Sequence, residues 1–210
     1  MKKQFTLLVA TFCLVFGALA QFEGVIEFEK KVGTVVVNYK YYIKGDNIRV
    51  EEIGDESSID GIELINTKNN TIYALSPERK MYMEVPTGRP AQTAKTTVEK
   101  TKSTKKINNE TCTKWVVKCP DQDRVVTYWM AKGDYNFFIP MLKTLNRKEK
   151  LAVYYLQLQG TDGFFPMVGE ETKIDGTPIG SLNVKSIERK TMESSLFEIP
   201  KGYTKFERDK

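Results

Sequence analysis

Any chemistry done by this chain must be done without histidine, since none occurs in its 210 residues. That excludes His-centred triads, HExxH zinc sites and an imidazole general base. The acidic residues come as neighbours: Glu51-Glu52, Asp55-Glu56 and Glu170-Glu171. Adjacent residues on a strand point to opposite faces, so such pairs do not converge on one glycosidic bond. Asp60-Gly61, Asp162-Gly163 and Asp175-Gly176 are turn dipeptides, and none heads an EF-hand ladder. No GxxxxGK[ST], GxGxxG or GxSxG run is present. Tyrosine, lysine and aspartate can still support catalysis, but no spacing here assembles them. The residue types therefore argue for a protein that is not an enzyme and that uses neither cofactor nor metal.

The thiols give little more. Cys13 lies inside an apolar N-terminal run, which leaves Cys112 and Cys119. On one strand, seven steps separate these two by about 23 Å, against a limit of about 7 Å for a disulfide. Seven is odd, so they also face opposite ways. Two independent thiols are expected.

The aromatics are the most informative residues: 11 Phe, 10 Tyr and 2 Trp. Most must fill a core. A curved sheet covered by a single helical segment cannot bury every apolar face, however. On that argument Tyr39, Tyr41, Trp115, Trp129, Phe137 and Phe138 are candidates to line a ligand cavity. A plainly filled core is the competing reading.

The elements that must position these residues are mainly strands. Over 34–44, Val35, Val37, Tyr39, Tyr41 and Ile43 alternate onto one face, with Lys40 and Lys44 on the other. Further β-branched and aromatic runs occupy 47–53, 61–66, 71–75 and 79–85, separated by turn formers such as Gly45-Asp46-Asn47 and Ser76-Pro77-Glu78. This spacing predicts an antiparallel meander. The stretch 86–106 is rich in Thr and Lys and has almost nothing to bury, and is expected to be a mobile solvated loop. Strands resume at 113–119 and 124–131. Phe138, Met141, Leu142 and Leu145 then recur at helical spacing, and Leu151, Tyr154, Tyr155 and Leu158 continue the stripe. Arg147-Lys148-Glu149-Lys150 interrupts it, leaving either one long helix or two short ones. Strands at 164–174 and 182–189 follow, and 196–200 tucks its apolar residues against the body. The fold class is α+β: a large curved antiparallel sheet, an incomplete barrel, covered by one helical segment.

The N-terminus carries an address. Met1-Lys2-Lys3 is a basic start, 5–19 is almost wholly apolar, and Ala18-Leu19-Ala20 supplies a small-x-small cleavage pattern. Residues 1–20 are expected to be a cleaved signal peptide, with 21–210 forming one half-barrel domain in the periplasm or secreted. The apolar run is shorter than the ~18–20 residues that span a bilayer, so no transmembrane segment is expected. The formal net charge is +5, and Lys2 and Lys3 supply two of those charges. That balance, with no aromatics among the lysines of 86–106, argues against a nucleic-acid partner. No residue pattern specifies an oligomeric state.

Four phrases carry a resemblance: Phe22-Glu23-Gly24, Tyr42-Ile43-Lys44-Gly45-Asp46-Asn47-Ile48-Arg49, Ile72-Tyr73-Ala74-Leu75-Ser76-Pro77-Glu78-Arg79-Lys80-Met81-Tyr82, and Leu196-Phe197-Glu198-Ile199-Pro200-Lys201-Gly202-Tyr203. On these the chain resembles a secreted bacterial family, domain of unknown function 4412, of the Bacteroidota type. That family is similar to the periplasmic lipoprotein-carrier superfamily, whose fold is an incomplete antiparallel barrel lidded by helices. The phrases are structural, so the resemblance transfers no catalytic residues. It implies a non-enzymatic protein holding an apolar ligand, a lipid or lipoprotein acyl chain, in a half-barrel cavity. The alternative is a cell-envelope interaction protein with a filled core and no small-molecule ligand.

Overall fold

The computed structural model describes residues 21–88 and 93–207. The expected signal segment, Cys13 and positions 89–92 lie outside the described residues. Six strands form a first meander: β1 (Glu23–Val32), β2 (Val35–Lys44), β3 (Asn47–Ile53), β4 (Ile59–Asn66), β5 (Thr71–Ser76) and β6 (Met81–Glu84). Five form a second: β7 (Thr97–Ile107), β8 (Glu110–Cys119), β9 (Arg124–Lys132), β10 (Phe164–Thr172) and β11 (Pro178–Arg189). The meanders join where β1 pairs antiparallel with β11. A two-residue β12 (Thr204–Lys205) lies parallel to β6. The result is one open sheet in the order β12-β6-β5-β4-β3-β2-β1-β11-β10-β9-β8-β7, as the fold class anticipates.

Between β9 and β10 the chain forms α1 (Phe138–Leu145) and α2 (Lys150–Tyr155), the two-helix alternative for this segment. In α1, Phe138, Met141 and Leu142 are buried on the helical stripe read from the sequence. Pro140 is tolerated because it sits in the first turn, where its missing N–H has no intrahelical partner anyway. Asn146 ends the helix in the left-handed conformation at φ 44°, its N–H donating to the Leu142 carbonyl. Helices this short are marginal alone, so packing on the sheet holds them. Three tyrosines help dock α2. The Tyr128 hydroxyl donates to the Leu151 carbonyl, Tyr155 to the Phe164 carbonyl and Tyr154 to Gln122 Oε1, each at 2.8 Å.

The sheet has two covered faces. On the concave face a large core joins the helices to Phe22, Ile26, Phe28, Ile43, Tyr128, Met130, Phe165 and Met167. On the convex face of β4 and β5, a second cluster of Ile62, Leu64 and Leu75 packs with Tyr73, Tyr82, Ile199 and Tyr203. Ile199 is the apolar tuck expected at 196–200.

One expectation is corrected. Residues 97–106, read as part of a solvated loop, belong to β7, which pairs antiparallel with β8 around a bulge between Lys100 and Thr104. Threonine is β-branched and suits a strand, and lysines guard an edge against pairing with other chains. Two of those lysines also cover aromatic rings, with Lys100 Nζ over Trp115 and Lys105 Nζ over Trp129, each 4.1 Å from the ring centre.

Cys112 and Cys119 are free, buried and on one strand, as the spacing argument requires. Burial pushes the Cys112 thiol up to about 11, with Glu110 adding to the effect.

Candidate functional site

Between the concave face and the helices lies a cavity of about 90 Å³ with mainly apolar walls. Strand parity explains how it is built. Phe28 on β1 stands opposite Tyr39 on β2, and Ile26 opposite Tyr41. Phe28 stacks on Tyr39 at 5.2 Å and meets Tyr41 edge-on at 4.5 Å. Leu182 of β11 and Gly169 of β10 face each other across the ladder and widen the floor. The roof comes from Phe138 and Leu142 of α1 and Leu151 of α2. Phe138 is fixed edge-on against Tyr155 at 4.8 Å and Phe165 at 4.7 Å.

The rim is ionic. Arg147 and Glu149 lie on the linker between the helices, and both reach across to the sheet. Lys30 of β1 donates to Glu149 at 2.8 Å, and Arg147 Nη2 pairs with Glu63 of β4 at 2.6 Å. Arg147 Nη1 stays 3.9 Å from Glu149, too long for a hydrogen bond. Burial works against charge on Arg147, but Glu63, Tyr41 and Glu149 outweigh it and raise its pKa. Burial likewise pushes Glu149 up, yet Lys30 and Arg147 more than offset this, leaving it below the usual carboxylate value. Tyr41 is held protonated by burial, and its hydroxyl enters no hydrogen bond among the described residues. Beyond the rim a more polar groove of about 380 Å³ opens, sharing Leu145, Arg147 and Glu149 with the cavity.

Of the six residues singled out from sequence, Tyr39, Tyr41 and Phe138 line this cavity, and Trp115, Trp129 and Phe137 do not. Trp129 has the opposite parity on β9 from Tyr128, whose ring does line the cavity, so it projects from the other face beneath Lys105. Trp115 is on the concave face but packs beyond the cavity against Phe164 at 5.3 Å. Phe137 precedes α1 and turns into the core against Phe22 and Phe165. Sequence reasoning missed Phe28, Lys30, Leu142, Arg147 and Glu149. The signal for the last two was present: a charged break in an apolar helical stripe, read only as an interruption.

Among the described residues, no group of three or more Cys, Asp or Glu is placed to hold a metal ion. No described helix is long and apolar enough to cross a membrane.

The sequence profile of a family described as a domain of unknown function, DUF4412, matches residues 22–203. The chain belongs to this family. The DUF4412 match begins at Phe22, whose ring is fully buried against Tyr135 and Phe137, and ends at Tyr203 in the convex-face cluster. No curated protein matches the chain. Among solved structures, the DUF4412 fold is similar to an uncharacterized conserved protein from Thermus thermophilus. The TM-score is 0.55 and identity 11%, covering 88% of this chain and 89% of that one. Lower-scoring likenesses include PNGF-II, at TM-score 0.43 and 12% identity, covering 88% of this chain but 30% of the other. A putative outer membrane lipoprotein-sorting protein domain from Vibrio parahaemolyticus gives TM-score 0.34 and 11% identity, covering 83% and 88%.

Proposed function

We propose that this protein is a non-enzymatic binder of an apolar ligand, an acyl chain, in the cavity beneath α1 and α2, acting in the periplasm or outside the cell after cleavage behind Ala20. The observation that carries the reading is the aromatic and aliphatic cavity itself, walled by Phe28, Tyr39, Tyr41, Phe138, Leu142 and Leu182, with an ionic rim at its mouth. An apolar chamber with a few placed polar groups is the usual form of a small-molecule site. Its closed volume of about 90 Å³ is well below the ~300 Å³ at which such sites begin. An acyl chain must therefore lift the helical segment to enter. Tyr39, Tyr41 and Phe138 are the ligand-lining residues of this reading.

A native mass spectrum of the exported protein, followed by calorimetric titration with dodecanoate, tests it. Gly169→Leu supplies the control. A Cβ there meets the Leu151 methyl at 2.8 Å, the mobile end of a flexible residue, so a larger side chain pushes into the cavity, and circular dichroism checks that the variant folds. Saturable binding in the wild type and its loss in the folded variant are expected. No saturation, or equal binding by Gly169→Leu, would sink the reading. One observation favours the alternative of an envelope interaction protein. The β1–β2 hairpin tip exposes Val32, Val35 and Val36 at 56%, 62% and 49%, an apolar surface that a partner could cover.

A further inference from the structure

The ionic rim says what kind of head group the cavity accepts. We infer that the ligand is a single acyl chain with an anionic head, a carboxylate or phosphate monoester, held by Lys30 and Arg147 in the place that Glu149 now occupies. This rests on the proposed acyl-chain reading and deepens it.

Glu149 is a carboxylate already seated where the apolar cavity meets the polar groove. Its contacts are those an incoming anion would use: the Lys30 ammonium at 2.8 Å and the spare Arg147 Nη1 at 3.9 Å. Among the described residues Lys30 makes no other ion pair, so it depends on Glu149 or a substitute for its counter-charge. Arg147 is different, because Glu63 holds Nη2 at 2.6 Å and fixes the guanidinium beside the mouth whether or not Glu149 stays. The Tyr41 hydroxyl, unengaged among the described residues, adds a donor on the cavity side. Guanidinium and ammonium thus flank one acceptor position, at the mouth of a cavity that Tyr41 also lines.

Charge balance fixes the sign. The rim holds two cations and two carboxylates, Glu63 and Glu149. A cationic head would meet Lys30 and Arg147 at close range, and a neutral head would leave the existing pairs undisturbed. An anion can replace Glu149 one for one. Glu149 is the partner able to leave, since its side chain is 39% exposed against 21% for Lys30 and it lies on the interhelix linker rather than on a strand. An acyl chain entering under Leu142 and Leu151 must shift the α2 end of this linker, which draws Glu149 away as the head arrives while the Glu63 pair holds Arg147 to the sheet.

The test compares dodecanoate, dodecyl phosphate, dodecanol and dodecyltrimethylammonium by calorimetry on delipidated protein. The anions should bind about tenfold or more tightly than dodecanol, the scale of one charge-assisted hydrogen bond. Lys30→Gln should erase that preference, bringing dodecanoate down to the affinity of dodecanol. Glu149→Gln, which removes the internal competitor, should strengthen dodecanoate severalfold and dodecanol hardly at all. Whichever anion binds better identifies the head-group source. Equal affinity for dodecanoate and dodecanol, a preference for the cation, or no gain in Glu149→Gln overturns this inference and leaves the cavity reading standing. Failure of all four ligands to bind overturns both.

Discussion

Glu51 is a buried carboxylate whose removal has a calculable consequence. It lies on β3, on the convex face, with its side chain 6% exposed and that of Arg49 11% exposed. Arg49 donates to Glu51 Oε1 through Nε at 2.7 Å and Nη2 at 2.6 Å, and the Tyr42 hydroxyl donates to Oε2 at 2.9 Å. Burial and the Glu51 charge together push Tyr42 up to about 12. Arg49 Nη1 reaches on to the Leu196 carbonyl at 3.2 Å, tying the C-terminal segment to the sheet. Glu51→Leu keeps the volume but strands a guanidinium and a phenol. Breaking a buried pair from one side costs about 3–5 kcal/mol. Arg49 keeps its carbonyl acceptor, which favours the lower end. At about 2–4 °C per kcal/mol for a chain of this size, melting should fall by roughly 6–12 °C. Urea denaturation should show a lower midpoint at unchanged slope. Hydrogen exchange should quicken first in 192–198, because Arg49, which still reaches the Leu196 carbonyl, is no longer fixed by Glu51. Adding Arg49→Met removes the stranded charge and should recover at least half the loss. A Glu51→Leu cost below about 1 kcal/mol would refute the reasoning, because it would mean that water reaches Arg49 and Tyr42 despite their burial.

Two further outcomes follow from the charges and the thiols. The Lys30–Glu149 pair lowers the folded pKa of Glu149, so its contribution is full above the unfolded carboxylate pKa and is lost as pH falls through the folded one. The stability gap between wild type and Lys30→Met, under about 1 kcal/mol for this part-exposed pair, should close on acidification; a gap that widens would reverse the assignment. Cys112 and Cys119 should resist iodoacetamide in the native protein and both react in denaturant without reductant. Protection that persists in denaturant until reductant is added would mean a disulfide.

Much of the fold is legible in the sequence because strands with one face to bury announce themselves. The alternation from Val35 to Ile43 gives β2 and puts Tyr39 and Tyr41 on the cavity side. The stripe Phe138, Met141, Leu142 and Leu145 gives α1, and the charged break after it gives the rim. β7 escaped because it buries almost nothing. Its pairing is a matter of backbone hydrogen bonds and lysine over indole, neither of which leaves an apolar period. Trp129 misled for a related reason. On β9 it shares its parity with Val125 and Thr127, a plausible inner face, while Val126, Tyr128 and Met130 hold the real one. Lysine shelters an indole on the outside, so aromatic character alone does not reveal which face is inner.

The phrases on which the resemblance rests meet in space. Lys44, from the first long phrase, donates to the Met192 carbonyl at 2.6 Å, and Arg49, from the same phrase, donates to the Leu196 carbonyl. Tyr73 and Tyr82, from the second, share a cluster with Ile199 and Tyr203 from the last. Their outward-facing residues therefore build the convex side, where a C-terminal segment clasps β2 to β6, while Phe22, Ile43, Ile48 and Ile72 of the same phrases enter the concave core. The cavity lies on the other side, roofed by helices of eight and six residues that cannot persist without their packing. That division leaves one face of the sheet fixed by its own C-terminal segment and the other covered by the helices. α1 and α2 belong to the concave core, and none of the contacts of the convex clasp passes through them.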